Sequence, residues 1–339
     1  MLFAALAASL VLASTPLKVD RGNYVITADA MGRGVPIVAI PGGPGFAGRA
    51  VWSFGYEMQD VATVYLFNQL GTGTSQLKPT KNDLKANLSL DRTIEDLDAL
   101  RKKAGLKKWS VFGQSWGVVV AMTYVSKYPN SVDRLILASI PGFGADLHIL
   151  SDTLKRIIPK SEQDRIVEAM SKPELTDAQR VAMQVFEGIP YYFADVESGK
   201  SKAAKAPKDI FNPEVFLALY PEYSRFMMKQ SRTEAIRKWT GSTLILHGHF
   251  DPTGAAMGYR LKETFLPKAK IQMMYDVGHF SFIEQPDAFF YHVRTWLKLP
   301  LSPAQVEMVN GDALALDKQI AAAKARDAAG WPFGPDPKP

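Results

Sequence analysis

The clearest structural signal in the chain is Trp109-Ser110-Val111-Phe112-Gly113-Gln114-Ser115-Trp116-Gly117-Val118-Val119-Val120. Its first part, apolar apart from one serine, predicts a buried strand, and its last part predicts a helix. Glycines two positions to either side of Ser115 remove Cβ atoms that would clash in a sharp turn. Such a turn presents the serine hydroxyl at a helix N-terminus, where backbone N–H groups can face a developing negative charge. We therefore predict that Ser115 is a nucleophile.

A serine hydroxyl needs a histidine as its base and a carboxylate that orients the histidine. His279 follows a late apolar run that predicts a strand, and Asp251 follows an earlier run of the same kind. The order serine, acid, histidine matches one known arrangement of such triads. We predict Ser115, Asp251 and His279 as the catalytic residues, with Asp146 as a weaker alternative acid. The histidines that remain are expected to have packing or structural roles: His148, His247, His249 and His292.

The second part of an oxyanion-binding site should follow the strand predicted over residues 35–40. The sequence there is Pro41-Gly42-Gly43-Pro44-Gly45, and such small residues let the backbone approach a ligand closely. We predict that the backbone N–H groups of Gly43 and Trp116 bind the oxyanion. The alternative is an ordinary turn built from glycine and proline.

Four blocks of the sequence resemble the prolyl aminopeptidase (proline iminopeptidase) family of α/β-hydrolases. The blocks are residues 41–45, similar to H-G-G-P-G; 68–75, similar to D-Q-R-G-x-G-x-S; 113–117, similar to G-x-S-W-G; and 278–289, similar to G-H followed by E-Q-P-x-A-F. The resemblance implies an α/β-hydrolase fold and the triad already predicted from the residues. It also implies an aminopeptidase that releases N-terminal residues, proline or another, from short peptides.

The chain departs from the family pattern at Pro41, where the family has histidine, and at Asn68 and Leu70, which replace aspartate and arginine. These changes leave the hydrolase motifs intact and concern the aminopeptidase specificity. In the family, glutamates of a cap domain bind the α-amino group of the substrate. The resemblance implies Glu187 and Glu222 as substrate-binding residues. The alternative for both is a solvated glutamate on a helix surface.

Alternating strand and helix signals predict an α/β protein with a doubly wound sheet. We expect an α/β-hydrolase fold whose mostly parallel sheet is of the eight-stranded type, with a helical cap inserted after the sixth strand. The predicted core covers residues 16–141 and 241–300, the cap 142–240, and a C-terminal helix with a proline-rich tail 301–339.

Two local predictions accompany this architecture. A helix is expected over residues 90–104, with Asp91 as its N-cap and basic residues in its last turn. Residues 198–205, rich in lysine, serine and alanine, are expected to form an exposed and mobile loop.

The composition agrees with a large core, and it argues against nucleic-acid binding and cysteine-based chemistry. The chain has 339 residues, of which 47% are hydrophobic, enough for one core and an insertion. The net charge of +6 is spread along the chain, and no nucleic-acid-binding signature is present. The chain contains no cysteine, which excludes disulfides, thiol catalysis and cysteine-bound zinc. No spacing of His, Asp or Glu suggests a metal site, and no cofactor is expected.

Residues 1–15 contain an apolar run and are expected to form a signal peptide or another hydrophobic segment outside the core. Their apolar run is too short to span a bilayer comfortably, and it ends in Val11-Leu12-Ala13, which resembles a cleavage site for export. We expect export to the periplasm or medium, with no integral membrane span in the mature chain. If the segment is kept as structure, the protein is expected in the cytoplasm.

Two other functions stay open beside the aminopeptidase. The first is a carboxylesterase or amide hydrolase that acts on small acyl substrates. The second is a ligand-binding protein that has the hydrolase scaffold without catalysis, because a fold does not fix a function. The expected partner is a small peptide or acyl substrate, and the sequence leaves the oligomeric state open.

Overall fold

The computed structural model describes residues 15–79, 83–207, 209–226 and 230–309, together with Arg326, Ala328 and Pro332. Most of the predicted N-terminal segment and of the C-terminal tail therefore lies outside the described residues. Within these ranges, no helix combines the length and the apolar character that a membrane crossing requires.

Nine strands of the described chain form one sheet: β1 (Thr15–Asp20), β2 (Tyr24–Gly32), β3 (Val35–Ile40), β4 (Ala62–Asn68), β5 (Gln76–Leu77), β6 (Trp109–Gln114), β7 (Val132–Ala138), β8 (Ser242–Gly248) and β9 (Lys270–Met274). Their order is β1-β2-β4-β3-β6-β7-β8-β9, and the short β5 pairs with β2. β2 is antiparallel to β1, β4 and β5, whereas every pair from β4–β3 to β8–β9 is parallel. The predicted mostly parallel sheet of the eight-stranded type is confirmed.

The central strands are buried on both faces. In β3, Val38 and Ile40 belong to one apolar cluster, while Ile37 and Ala39 belong to another. Successive side chains of a strand point to opposite faces of the sheet, so each face of β3 meets a separate core. This double burial explains the continuous apolar runs that predicted these strands.

Helices cover both faces of the sheet. The helices of the described chain are α1 (Trp52–Met58), α2 (Leu84–Asn87), α3 (Leu90–Lys103), α4 (Trp116–Lys127), α5 (Leu147–Ile157), α6 (Lys160–Met170), α7 (Asp177–Gly188), α8 (Val196–Ala203), α9 (Pro213–Phe226), α10 (Gln230–Arg237), α11 (Met257–Phe265), α12 (Ser281–Glu284), α13 (Pro286–Leu297) and α14 (Pro303–Val309). Helices α1, α12 and α13 contribute to the cluster that contains Ile37, while α3, α4, α9, α10 and α11 contribute to the cluster that contains Val38.

Helices α5 to α10 follow one another between β7 and β8. β7 is the sixth strand, in chain order, of the eight that lie side by side. The helices are therefore inserted after the sixth strand, as the predicted fold requires. Domain boundaries at residues 142 and 240 stay a prediction.

The structure corrects both local predictions. Ser89, not Asp91, is the N-cap of α3, because its side chain accepts a hydrogen bond from Arg92 N at 3.1 Å. Much of the expected loop over residues 198–205 is helix α8, and the side chain of Asp195 caps it by accepting from the N–H groups of the next turn. A Cβ at Gly199 would lie 2.5 Å from the Pro190 carbonyl oxygen, so α8 packs closely on the preceding turn.

Candidate active site

Ser115 lies between the end of β6 and the start of α4. Its backbone has φ 53° and ψ −118°, a conformation that residues with a side chain rarely adopt. Such strain persists where the surrounding structure enforces it, and it concentrates at functional sites. A Cβ at Gly113 would overlap the Gly117 carbonyl oxygen, and a Cβ at Gly117 would overlap the Ile40 carbonyl oxygen. Gly113 therefore lets the end of β6 lie against the first turn of α4, and Gly117 lets α4 start close to the end of β3.

His279 and Asp251 come together on the loops that follow β9 and β8. His279 Nδ1 lies 2.8 Å from Asp251 Oδ2. Both residues are buried, with 3% and 4% of their surface exposed. Asp251 Oδ1 accepts from the backbone N–H of Thr253 at 2.9 Å, and the Thr253 hydroxyl lies 2.7 Å from the same oxygen. The acid is thus fixed by its own loop as well as by the histidine.

The surroundings of Asp251 favour its ionised form, which can accept a hydrogen bond from His279. Burial by itself would raise the pKa of Asp251, because a charge is costly away from water. The His279 and His247 imidazoles, with hydrogen bonds from His279 and Thr253, outweigh burial and hold the pKa of Asp251 below its usual value. An ionised Asp251 accepts the Nδ1 proton of His279, which leaves Nε2 as the proton acceptor of the imidazole.

His247 is a second buried imidazole beside Asp251, and both of its ring nitrogens bond to backbone groups. Its Nδ1 accepts from Ile140 N at 3.1 Å, and its Nε2 lies 3.0 Å from the Gly254 carbonyl oxygen. Burial lowers the pKa of His247 and so favours the neutral ring. Since Nδ1 accepts from Ile140, the neutral ring carries its proton on Nε2 and donates it to Gly254. The ring therefore ties the Asp251 loop to the chain after β7.

The turn after β3 comes against the serine. A Cβ at Gly42 would lie 2.6 Å from Gln114 Oε1 and 3.2 Å from Ser115 Cβ, so the turn can approach Ser115 only without one. The next residue, Gly43, has φ 118°, in the region that favours glycine. Gly43 and Trp116, the predicted oxyanion donors, line the same cavity as Ser115.

The cavity has a volume of about 660 Å³ and also takes in His279. Apolar side chains of α5, α6, α7 and α9 form much of its wall, and Pro332 contributes from the C-terminal part. Among the wall residues that the structure describes, Lys155 and Lys202 are the lysines, and neither aspartate nor glutamate occurs. Ser115 and His279 thus open onto a largely apolar chamber whose described wall includes two lysines.

Comparisons with known proteins identify the family. A family model described as alpha/beta hydrolase fold matches residues 35–286. The chain belongs to the alpha/beta hydrolase family. The structure also resembles an alpha/beta hydrolase of Bacillus anthracis, with a TM-score of 0.60, 18% identity, and coverage of 84% of this chain and 99% of the other. An esterase of Thermogutta terrifontis gives a TM-score of 0.62 and 20% identity over 84% of this chain and 98% of the other.

The sequence relatives of this hydrolase include several proline iminopeptidases. That of Heyndrickxia coagulans is 24% identical over 269 residues, or 77% of this chain and 90% of the relative. The probable proline iminopeptidase of Streptomyces coelicolor is 30% identical over 158 residues, or 45% and 48%. The putative enzyme of Mycoplasma genitalium is 33% identical over 107 residues, so the chain spans one third of its length. The predicted resemblance to prolyl aminopeptidases is confirmed.

The two glutamates predicted to bind substrate lie elsewhere in this hydrolase. Glu187 Oε2 pairs with Arg165 Nη2 at 2.7 Å on an exposed face of α7. Glu222 Oε2 accepts from the Leu90 backbone N–H at 2.6 Å, at the start of α3. Neither belongs to the described cavity wall, although the neighbours Phe186 and Tyr223 do. Adjacent helix residues point about 100° apart, so one can line a cavity while the next faces away.

The departures from the family motif at Asn68 and Leu70 have structural roles. Asn68 is 2% exposed, and its side chain accepts from Gly48 N at 2.9 Å and donates to Asp29 Oδ2 at 3.0 Å. Leu70 is also 2% exposed and packs in the cluster that contains Val38. An amide and an aliphatic side chain thus fill positions where the family pattern has an acid and a base.

Two residues around the triad were missed by the sequence analysis. Thr253 stands two positions after Asp251, a spacing typical of a turn in which an aspartate bonds to nearby backbone. Glu284 accepts from the backbone N–H groups on both sides of His279, and no local pattern shows this. In the described part of the chain, no group of three His, Asp or Glu side chains could hold a metal ion.

Proposed function

We propose that this protein is a serine hydrolase that forms an acyl-enzyme on Ser115. The observation that carries the proposal is the 2.8 Å contact between His279 Nδ1 and Asp251 Oδ2, in a site where His279 and Ser115 line one cavity. His279 takes the proton of Ser115 as Oγ attacks a carbonyl carbon, and it returns that proton to the leaving group. Water activated by His279 then cleaves the acyl-enzyme.

The negative oxygen of the tetrahedral intermediate is assigned to the backbone N–H groups of Gly43 and Trp116. Support comes from the start of α4 at Trp116, where the helix dipole favours a negative charge. The close approach of Gly42 to Ser115, where an added Cβ would lie 3.2 Å from Ser115 Cβ, supports the second donor on this turn. Loss of one such donor lowers turnover roughly 100- to 1000-fold in serine hydrolases.

The first candidate substrate is a short peptide with an unblocked N-terminus. The similarity to proline iminopeptidases over as much as 77% of the chain supports an aminopeptidase. Its substrate would carry an ammonium group next to the scissile carbonyl. An ammonium group taken out of water needs a carboxylate or several oxygen acceptors around it.

The second candidate is an ester or amide with an uncharged apolar acyl group, and the cavity wall favours it. The described wall has no carboxylate, and its lysines are Lys155 and Lys202. Apolar side chains offer an ammonium group no acceptor, and they accommodate a hydrocarbon chain. The predicted anchors Glu187 and Glu222 are engaged by Arg165 and Leu90. The geometry therefore supports this substrate class best.

A comparison of substrates tests both candidates. Prolyl, alanyl and leucyl p-nitroanilides, free and N-acetylated, would be assayed beside p-nitrophenyl acetate, butyrate and octanoate. Ester turnover that rises with chain length, requires Ser115 and is unchanged in Glu187→Gln would establish the second candidate. Turnover of the free anilides alone, dependent on Ser115 and lowered in Glu187→Gln, would establish the aminopeptidase.

The ligand-binding alternative predicts a different result. A protein that only holds ligand would hydrolyse none of these compounds, and its Ser115 would not react with a fluorophosphonate. Labelling of Ser115 together with turnover of any substrate would exclude it.

A further inference from the structure

One partly buried carboxylate, that of Glu284, joins the histidine loop to the chain between β7 and β8. Glu284 Oε1 and Oε2 both accept from Gly278 N at 3.0 Å, and Oε1 accepts from Phe280 N at 3.2 Å. Oε2 also accepts from Ala194 N at 2.9 Å. Ala194 lies in the chain between β7 and β8, far from Glu284 in sequence. One side chain therefore holds both neighbours of His279 and a segment of the insertion.

The backbone makes the same connection independently. His279 N donates to the Tyr192 carbonyl oxygen at 2.7 Å, and a Cβ at Gly278 would overlap that oxygen. The rings of Phe193 and Phe280 lie 4.8 Å apart. We call these contacts the 192–278 joint, formed by residues 192–194, residues 278–280 and Glu284.

The chemistry of a carboxylate suits the joint. An ionised glutamate has two acceptor oxygens and no donor, so both oxygens can face backbone N–H groups. A glutamine in the same place would turn an NH₂ group towards at least one of these donors. Tyr192 and Phe193 also line the cavity beside His279, so a substrate in the cavity contacts the segment that holds the histidine loop.

We propose that Glu284 is a positioning residue that couples the placement of the His279 imidazole to the 192–194 segment of the cavity wall. The inference rests on the proposed function, because it assumes that His279 is the base for Ser115. Glu284 acts through the histidine loop and does not touch the reacting atoms.

The test uses the full chain with Glu284→Gln and, as a second way to open the joint, Gly278→Ala. We expect kcat for p-nitrophenyl butyrate to fall about 10- to 100-fold in each variant, since misplacement of a catalytic group by about 1 Å can cost 100-fold. KM should change much less than kcat, because most of the acyl-binding wall lies on helices outside the joint. The fraction of sites titrated by a fluorophosphonate should stay at the wild-type value.

A proton NMR readout separates positioning from a general loss of structure. The hydrogen-bonded Nδ1 proton of His279 should give a downfield signal in the wild type, and that signal should broaden or vanish in Glu284→Gln. Asp20→Asn is the control, because Asp20 also accepts a backbone N–H, from Gly22 at 2.8 Å, on the exposed hairpin. It should leave kcat and the signal unchanged.

The outcomes distinguish the two proposals. If the wild type shows no Ser115-dependent hydrolysis, the proposed function itself is wrong. If the wild type is active and Glu284→Gln keeps the wild-type kcat and Nδ1 signal, the positioning role is wrong and the function stands. Equal loss of titratable sites and of kcat would also overturn it, because that pattern means unfolding.

Discussion

At Ser115 the strained backbone is held by neighbours that tolerate no additional atom. Gly113 and Gly117 leave space for carbonyl oxygens, and the latter lets α4 start against the end of β3. The elbow could be predicted from the sequence because all of its requirements lie within five residues, Gly113 to Gly117. The pairing of Asp251 with His279 could be predicted because each follows an apolar run that is itself a strand.

The positions of Glu187 and Glu284 could not be predicted from the sequence. Glu187 matches a family motif in sequence, yet Arg165 holds it on the outer face of α7. Which face of a helix lines a cavity depends on packing against distant elements, and a single sequence gives only the spacing. Glu284 was missed for a related reason, since one of its donors, Ala194, is 90 residues away.

Substitution of Gly117 by alanine tests the close contact at the elbow. The new Cβ would overlap the Ile40 carbonyl oxygen, so α4 and β3 must move apart. We expect a loss of about 1–3 kcal/mol in the free energy of unfolding and much slower fluorophosphonate labelling. Unfolding in urea measures the change in the free energy of unfolding. Gly188→Ala is the control, because a Cβ there is 4.0 Å from its nearest neighbour. Equal stability of the two variants would contradict the contact.

At the scale of elements, α3 is held to the β1–β2 hairpin by a buried carboxylate. Asp96 is 3% exposed and lies 2.8 Å from Arg21 Nε and 3.2 Å from Tyr24 Oη. The helix itself was predictable from its apolar spacing. Its cap was not, because Ser89 and Asp91 are both good capping residues and Glu222 contributes from a distant helix.

Burial raises the pKa of Asp96 to about 6, from 3.8, although Arg21 opposes the change. Between these values the unfolded chain has lost a proton that the folded protein keeps, so stability falls as the pH rises through this window. Titration of Asp96 across this window lowers the free energy of unfolding by about 3 kcal/mol. Asp96→Asn should flatten the pH dependence of the unfolding free energy between about pH 4 and 6, measured with urea.

Asp20→Asn is the matched control for this pH dependence. A hydrogen bond from Lys78 lowers the pKa of Asp20, so its titration falls below the window in which Asp96 acts. The control should keep the wild-type slope between about pH 4 and 6. An unchanged slope in Asp96→Asn would refute the role of that carboxyl.

At the scale of the whole molecule, the alternation of strands and helices predicted the sheet and the place of the insertion. It could not give the composition of the cavity, which is assembled from helices distant in sequence and includes Pro332 near the C-terminus. Export of the chain stays a prediction, since residues 1–14 lie outside the described part.

Arg326 connects the C-terminal part of the chain to the core. Its Nε lies 2.8 Å from Glu57 Oε1, and its Nη2 lies 2.8 Å from Asp287 Oδ1. Arg326→Ala would leave the mostly buried Glu57 without this cation, and we expect a loss of about 3–5 kcal/mol in the free energy of unfolding at pH 7. Arg165→Ala, which removes only exposed pairs, should change stability little.

The pH dependence of this loss has a definite sign. Burial raises the pKa of Glu57 above 4.5 even with Arg326 present, and removal of the cation raises that pKa further. A raised carboxyl pKa means stability that is present at low pH and lost as the pH rises. The loss in Arg326→Ala should therefore be smaller at pH 4 than at pH 7. A loss that is equal or larger at pH 4 would refute the ion pair.

We infer that Ser115 is a nucleophile activated by His279 and Asp251. Labelling of the protein with a fluorophosphonate, followed by peptide mass spectrometry, checks this inference. We predict a single adduct on the peptide that contains Ser115, absent in Ser115→Ala and formed much more slowly in His279→Ala and Asp251→Asn. An adduct on another residue, or wild-type labelling rates without His279, would contradict the account.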